Sequence, residues 1–181
     1  MSSSVFDQMM GRYTIQTVDD RTNALHEVMQ QIALAGLYRA GFFNKAAFYG
    51  GTCLRIFHAL PRFSEDLDFS LLQPDPNFTI SDYFDAIVDE FKALGREVVI
   101  SKKEEKKQSP VESAFLKDTT EIYNIHFQST PSIKIKIEVD LQPPLGFSTE
   151  PKLFLLPFSF MVPFYTLPDL FAGKMHAMLF R

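Results

Sequence analysis

The stretch Phe48 to Leu72, FYGGTCLRIFHALPRFSEDLDFSLL, leaves the chain little freedom in how it folds. Ala46-Ala47-Phe48-Tyr49 is a short apolar run that predicts a strand. Gly50-Gly51 allows a tight turn and lets a ligand come close to the backbone. Thr52 is a good N-cap and predicts a helix over 53–60, with Pro61 as its stop. Leu67, Phe69 and Leu71 then alternate with Asp66, Asp68 and Ser70. That period of two belongs to a strand with one buried face. The expected unit is strand, glycine turn, short helix, strand.

Asp66 and Asp68 leave such a strand on the same side. Two ionised carboxylates repel by about 4 kcal/mol at ~4 Å and an effective dielectric of ~20. A cation would offset that repulsion, and hard oxygen ligands favour Mg²⁺ completed by water and substrate phosphates. The helix N-terminus behind the glycines offers N–H groups and a positive dipole to a phosphate. Gly-Gly-Thr alone fits an ordinary strand-to-helix turn, and Asp-x-Asp alone fits a solvated strand end. Their combination in this order points to a metal–nucleotide site.

Around this unit the chain alternates helices and strands. A helix over 21–40, capped by Asp19 or Asp20, carries Leu25, Val28, Met29, Ile32 and Ala35 on one face, widened by Leu34 and Leu37. Gly36 weakens it and Gly41 ends it. His26 reads as a packed or surface histidine. Residues 73–77 are a proline loop. Ser81 predicts the cap of a helix over 82–94, closed by Gly95, with a strand over 97–102 behind it. The mixed charge run at 102–107 reads as a solvated turn, with a lysine-rich finger on a nucleic acid as its alternative. Strands are expected over 111–116, 120–128 and 132–141. The last, SIKIKIEVDL, is the cleanest alternation: Ile133, Ile135, Ile137 and Val139 face one way and Lys134, Lys136, Glu138 and Asp140 the other. Residues 142–168, rich in Pro and Phe, read as an ordered extended segment, strand-like over 153–160. A final helix spans 169–181, with Pro168 at its start.

The run Gly50 to Leu72, and Arg62 to Asp68 in particular, resembles the signature of the AbiEii/AbiGii-type nucleotidyltransferases, toxin halves of bacterial toxin–antitoxin and abortive-infection systems. They belong to the DNA polymerase β-like superfamily. The resemblance runs from about residue 20 to 181. It implies an α+β fold of polymerase β-like type, with helices packed on a mixed or antiparallel sheet. It implies transfer of a nucleoside monophosphate from an NTP to a hydroxyl of RNA (tRNA included) or of a protein, with Mg²⁺ (or Mn²⁺) as cofactor and an antitoxin as partner. Gly50, Gly51 and Thr52 would hold the triphosphate, and Asp66 and Asp68 the metal. A third carboxylate on a neighbouring strand would complete the metal site or act as base. Asp140 is the first choice and Glu138 the second. Lys136 matches a lysine of the second motif, and Lys174, in LPDLFAGKMHAMLFR, a lysine expected to reach the phosphates; both would bind the nucleotide by stabilising phosphate charge. Asp169, His176 and Arg181 belong to the same pattern, with His176 more readily a packed histidine than a catalyst. Arg55 and Arg62 would either stabilise phosphate or pair with Glu65 or another acid. Family members continue into a helical part beyond the last helix, so a fragment, a truncated paralogue or a minimal version is expected. A binding module without turnover and a protein phosphotransferase are the other readings.

The chain's 181 residues suffice for one domain with a real core, here 19–181 after a loose lead-in over 1–18 that carries a short helical turn. A net charge of −4 argues against a generally basic surface that coats nucleic acid. The single cysteine excludes an internal disulfide and fits a reducing cytoplasm. Met1-Ser2-Ser3-Ser4 lacks the basic start and apolar core of a signal peptide. No apolar run is long enough to cross a membrane.

Overall fold

The computed structural model describes residues 4–102, 120–127 and 134–180. The chain begins with helix α1 (Val5–Met10), which Ser4 and Asp7 close with a reciprocal capping box. Phe6 and Met9 bury its inner side, and Arg96 lies over the Phe6 ring, so this turn packs against the body of the protein. Helix α2 (Val18–Arg39) starts earlier than its apolar pattern suggests. Its cap is Thr17, not Asp19 or Asp20. The Thr17 hydroxyl accepts from the Asp20 N–H, while the Asp20 carboxylate accepts from the Thr17 N–H. Asp20 thus takes part in the cap from the third position of the helix. Gly41 follows in the left-handed conformation at φ +75°, as a helix-terminating glycine should.

Strand β1 (Ala46–Tyr49) leads into helix α3 (Gly50–His58), then strand β2 (Asp66–Leu71). Helix α3 opens at the glycines, three residues before the expected start. Thr52 therefore sits in its first turn and not at its cap. It ends at Ala59, in the left-handed conformation, before Pro61 is reached. A short 3-10 turn (Ile80–Tyr83) precedes helix α4 (Phe84–Ala93), and no side chain caps either, so Ser81 does not do so. Strands β3 (Val98–Lys102), β4 (Thr120–Phe127) and β5 (Lys134–Asp140) follow. The Pro- and Phe-rich segment is a hairpin of β6 (Thr149–Phe154) and β7 (Phe160–Tyr165) where one strand-like run was expected. Helix α5 (Leu167–Phe180) follows the hairpin. The expected strand 111–116, most of the charge run and Arg181 lie outside the described residues.

Seven strands form one mixed sheet in the order β3-β4-β5-β2-β1-β7-β6. Pairs β2–β5 and β1–β7 are parallel, and the other neighbours are antiparallel. Leu67, Phe69 and Leu71 of β2 and Ile135, Ile137 and Val139 of β5 are buried. They form the apolar side of the two central strands, as their alternation requires. Phenylalanine, with 19 copies, supplies much of the core. Phe42 meets Phe69 edge-on at 4.9 Å, Phe69 lies 5.4 Å from Phe48, and Phe48 lies 5.9 Å from Phe57. Phe57 contacts Phe164 at 4.5 Å. These rings join the start of β1, β2, α3 and the β6–β7 hairpin. Helix α2 crosses α4 so closely that a Cβ on Gly36 would lie 2.7 Å from the Ile87 Cα. The glycine that weakens α2 in isolation is what lets the two helices touch.

Candidate active site

The polar side of the two central strands carries the acidic residues. Parallel pairing sets Asp66 opposite Lys136, Asp68 opposite Glu138 and Ser70 opposite Asp140. Residues paired in register share a face of the sheet. Asp66, Asp68, Lys136 and Glu138 are thereby brought together, and Asp140 follows one step along β5. Glu138, the second choice from the sequence, is the acid opposite Asp68, whereas Asp140 faces Ser70. The Asp140 carboxylate also accepts from the Gln142 N–H at 2.9 Å, and burial raises its pKa.

Asp68 is the focus of the cluster. Burial, then the charges of Glu138 and Asp66, push its carboxyl up to about 7, against the pull of Lys136 and Lys174. Its carboxylate packs onto Gly50, whose φ is +84°. A Cβ at Gly50 would collide with that carboxylate, so both the conformation and the contact demand glycine. The glycine turn is built around the second aspartate.

Helix α3 begins without a side-chain cap, which leaves its first N–H groups open to an anion. Ser64 Oγ and Lys174 Nζ converge on Gly51, 3.1 and 3.8 Å from where a Cβ would stand. Lys174, on α5, thus reaches the start of α3. The Thr52 hydroxyl is committed elsewhere: it is buried and donates to the Asp66 carbonyl, so any contact Thr52 makes with a ligand falls to its N–H. Gln30, buried in α2, donates to the Ser64 carbonyl at 2.7 Å and to Thr52 Oγ1 at 3.5 Å. These bonds tie α2, α3 and the approach to β2 into one frame.

Other candidates separate clearly. Lys136 Nζ lies 2.6 Å from Glu138 Oε1 and 3.3 Å from Asp66 Oδ2, held by acids of the cluster itself. Burial works against its charge, but these two contacts outweigh it and raise its pKa. Arg55 is structural: it pairs with Glu27 at 3.0 Å, donates to the Leu60 and Pro61 carbonyls and stacks on Phe63. Asp169 accepts from the Ser148 N–H and the Thr166 hydroxyl, which lower its pKa and fix the start of α5. His26 lies in α2 with its pKa lowered by burial, as a packed histidine.

Tyr49, Tyr165, Ser64 and Gln30 carry no role in the sequence analysis. Burial raises the Tyr49 pKa, helped by Asp68, Asp140 and Glu138. Tyr49 stacks on Tyr165 at 5.3 Å, and Tyr165 on Phe147 at 4.4 Å, an aromatic row beside the acids. Burial pushes the Tyr165 phenol up to about 12. Tyr49 directly precedes the glycines, Ser64 lies in the Arg62–Asp68 run, and Gln30 is a polar residue within an apolar helix face. Those were the available signals.

Among the described residues, no three His, Cys, Asp or Glu side chains form a ready-made metal cage. The donor set still fits Mg²⁺, which needs only one or two carboxylates beside water and phosphates. Burial first, then the charges of Glu138 and Asp66, disfavour the ionised form of Asp68, and a bound divalent ion would favour it. A cavity of about 630 Å³ lined by Tyr38, Arg39, Phe43, Asn44, Phe158 and Met161 holds none of the acids. Among the described residues that line it, the cation is Arg39, which is bound to Glu90 at 2.6 Å and stacked on Phe158.

The sequence profile described as "Nucleotidyl transferase AbiEii toxin, Type IV TA system" matches residues 32–181. The chain belongs to the AbiEii nucleotidyltransferase toxin family. Among solved structures it resembles MenT4, a nucleotidyltransferase toxin of Mycobacterium tuberculosis, with a TM-score of 0.59 and 20% identity. That match covers 93% of this chain and 57% of MenT4, so the AbiEii chain spans little more than half the length of that relative. JHP933 from Helicobacter pylori aligns with a TM-score of 0.49 and 16% identity, over 84% of this chain and 56% of its own. No curated protein sequence matches. The MenT4 likeness bears on the fold, which is the mixed α+β architecture expected from the sequence. No helix among the described residues is long and apolar enough to cross a membrane.

Proposed function

We propose that this AbiEii chain is a metal-dependent nucleotidyltransferase, the toxin of a cytoplasmic toxin–antitoxin pair, that moves a nucleoside monophosphate from an NTP to a hydroxyl of RNA or protein. One observation carries the reading: Asp68 and Glu138 meet across a parallel register in front of the Gly50 turn. In the transfer, the acceptor oxygen bonds to the α-phosphorus, the bond from that phosphorus to the β-phosphate oxygen breaks, and pyrophosphate leaves. The open N–H groups of α3, the Ser64 hydroxyl and Lys174 hold the departing phosphates and stabilise their charge. Asp66, Asp68 and Glu138 would hold Mg²⁺ or Mn²⁺, which when bound polarises phosphate oxygens and lowers the pKa of the attacking hydroxyl. Asp140, its pKa raised by burial, receives that hydroxyl's proton. Gly50 keeps the triphosphate turn and Asp68 at contact distance.

The test uses α-labelled and γ-labelled NTPs with total RNA and with protein, in Mg²⁺, comparing wild type with Asp66→Asn. Label from the α-position should enter RNA or protein, and Asp66→Asn should reduce it by a factor on the order of 10² while keeping a native circular-dichroism spectrum. Transfer of γ-label alone would mean a phosphotransferase. NTP binding without transfer of either label would mean a binding module.

A further inference from the structure

We propose that Lys136 is a tethered counter-cation: it holds the acidic cluster together before a metal arrives, must release those acids when one binds, and so sets the metal concentration at which the site fills. The inference rests on the metal-site reading above. One ammonium is shared between Glu138 Oε1 at 2.6 Å and Asp66 Oδ2 at 3.3 Å, on the face that also carries Asp68. Among the described residues Asp68 forms no ion pair of its own, so Lys136 is the cation bonded directly into a group of three acids.

The position follows from the strand period. Lys136 and Glu138 are two apart on β5 and leave it on the same side, and register brings Asp66 opposite Lys136. An ordinary surface ion pair joins one acid to one base and contributes little. Here the lysine side chain and both its acids are 25–40% exposed, and the ammonium bridges the very oxygens a divalent ion would take. An ammonium and a divalent cation repel, and each needs the same lone pairs. The four-carbon stem of lysine allows the exchange, since it can swing the charge clear without moving the strand. A lysine whose role was only to bind phosphate would affect NTP affinity and leave nucleotide-free metal binding unchanged.

The test is titration of Mn²⁺ into nucleotide-free protein, followed by electron paramagnetic resonance of free Mn²⁺ and by calorimetry. Lys136→Met and Lys136→Gln should bind Mn²⁺ about tenfold more tightly than wild type, because a neighbouring positive charge has been removed. Lys136→Arg, which keeps the charge, should remain near wild type. Without metal, the two neutral variants should melt below wild type, and Mn²⁺ should close the gap. Unchanged or weaker Mn²⁺ binding in both neutral variants overturns the inference. Variants that regain a native spectrum only with Mn²⁺ support it, and variants unfolded with and without Mn²⁺ overturn it. Asp66→Asn is the separate control: if it binds Mn²⁺ as wild type does, the metal-site reading itself has failed, whatever Lys136 does.

Discussion

At Asp68, burial and the charges of Glu138 and Asp66 act in one direction, and they give the metal-free protein a pH signature. An unfolded aspartate titrates near 3.9, whereas this one titrates at about 7 when folded. Between those values the native state holds a proton that the unfolded chain has released. The stability of metal-free protein should therefore fall as pH rises from about 4 to about 7. Asp68→Asn removes this penalty. In a chelator it should be more stable than wild type at pH 8, with the gap narrowing toward pH 5. Urea titrations across that range check it, and a gap independent of pH would count against the raised pKa. Gly50 is the companion case. Gly50→Ala meets both a left-handed backbone, which costs about 1–2 kcal/mol, and the Asp68 carboxylate. Misplacing a reacting group by about 1 Å can cost on the order of 10² in rate. The variant should lose transfer by about that factor while keeping most of its stability, measured as initial rate beside melting temperature. These two residues also mark what could be read in advance. The glycines and aspartates are legible as a motif, but their direct contact is not, because it depends on how tightly β1 turns into α3.

Among the elements, the contact of α2 with α4 sets two effects against each other at Gly36. Alanine there raises helix propensity by about 1 kcal/mol. It also places a Cβ 2.7 Å from the Ile87 Cα and 2.9 Å from the Ala86 carbonyl oxygen, backbone atoms that can move only with α4. Overpacking of that kind costs about 1–3 kcal/mol, so Gly36→Ala should be destabilising by denaturant unfolding despite its better propensity. Equal or higher stability would show that α4 moves aside freely. Helices were legible through their apolar faces, but their starts were not. Thr17 caps α2 from outside the periodic stretch, and α3 begins on glycines that propensity would exclude from a helix. The β6–β7 hairpin was obscured by proline. Pro151 and Pro163 face each other across its strands, and β6 is an edge strand of the sheet, where a missing donor is tolerated.

Across the whole molecule, alternation identified β2 and β5 separately, and the family likeness supplied the expectation of a third acid. Which acid stands opposite Asp68 is a matter of register, a tertiary property that no local spacing encodes. A slide by one residue would turn every acid on β5 to the apolar side, and a slide by two would exchange Glu138 for Asp140. The buried Ile135, Ile137 and Val139 exclude the first, and the observed pairing resolves the second for Glu138. The parallel pairing of β2 with β5 also has a kinetic side. Both aspartates and the glycine turn leave the ribosome well before the strand that completes their cluster, and a contact so distant along the chain forms slowly. A nascent chain stalled before β5 emerges would carry Asp66 and Asp68 without Glu138, and without Lys136 to neutralise them, so the acidic cluster is complete only once the centre of the sheet has closed.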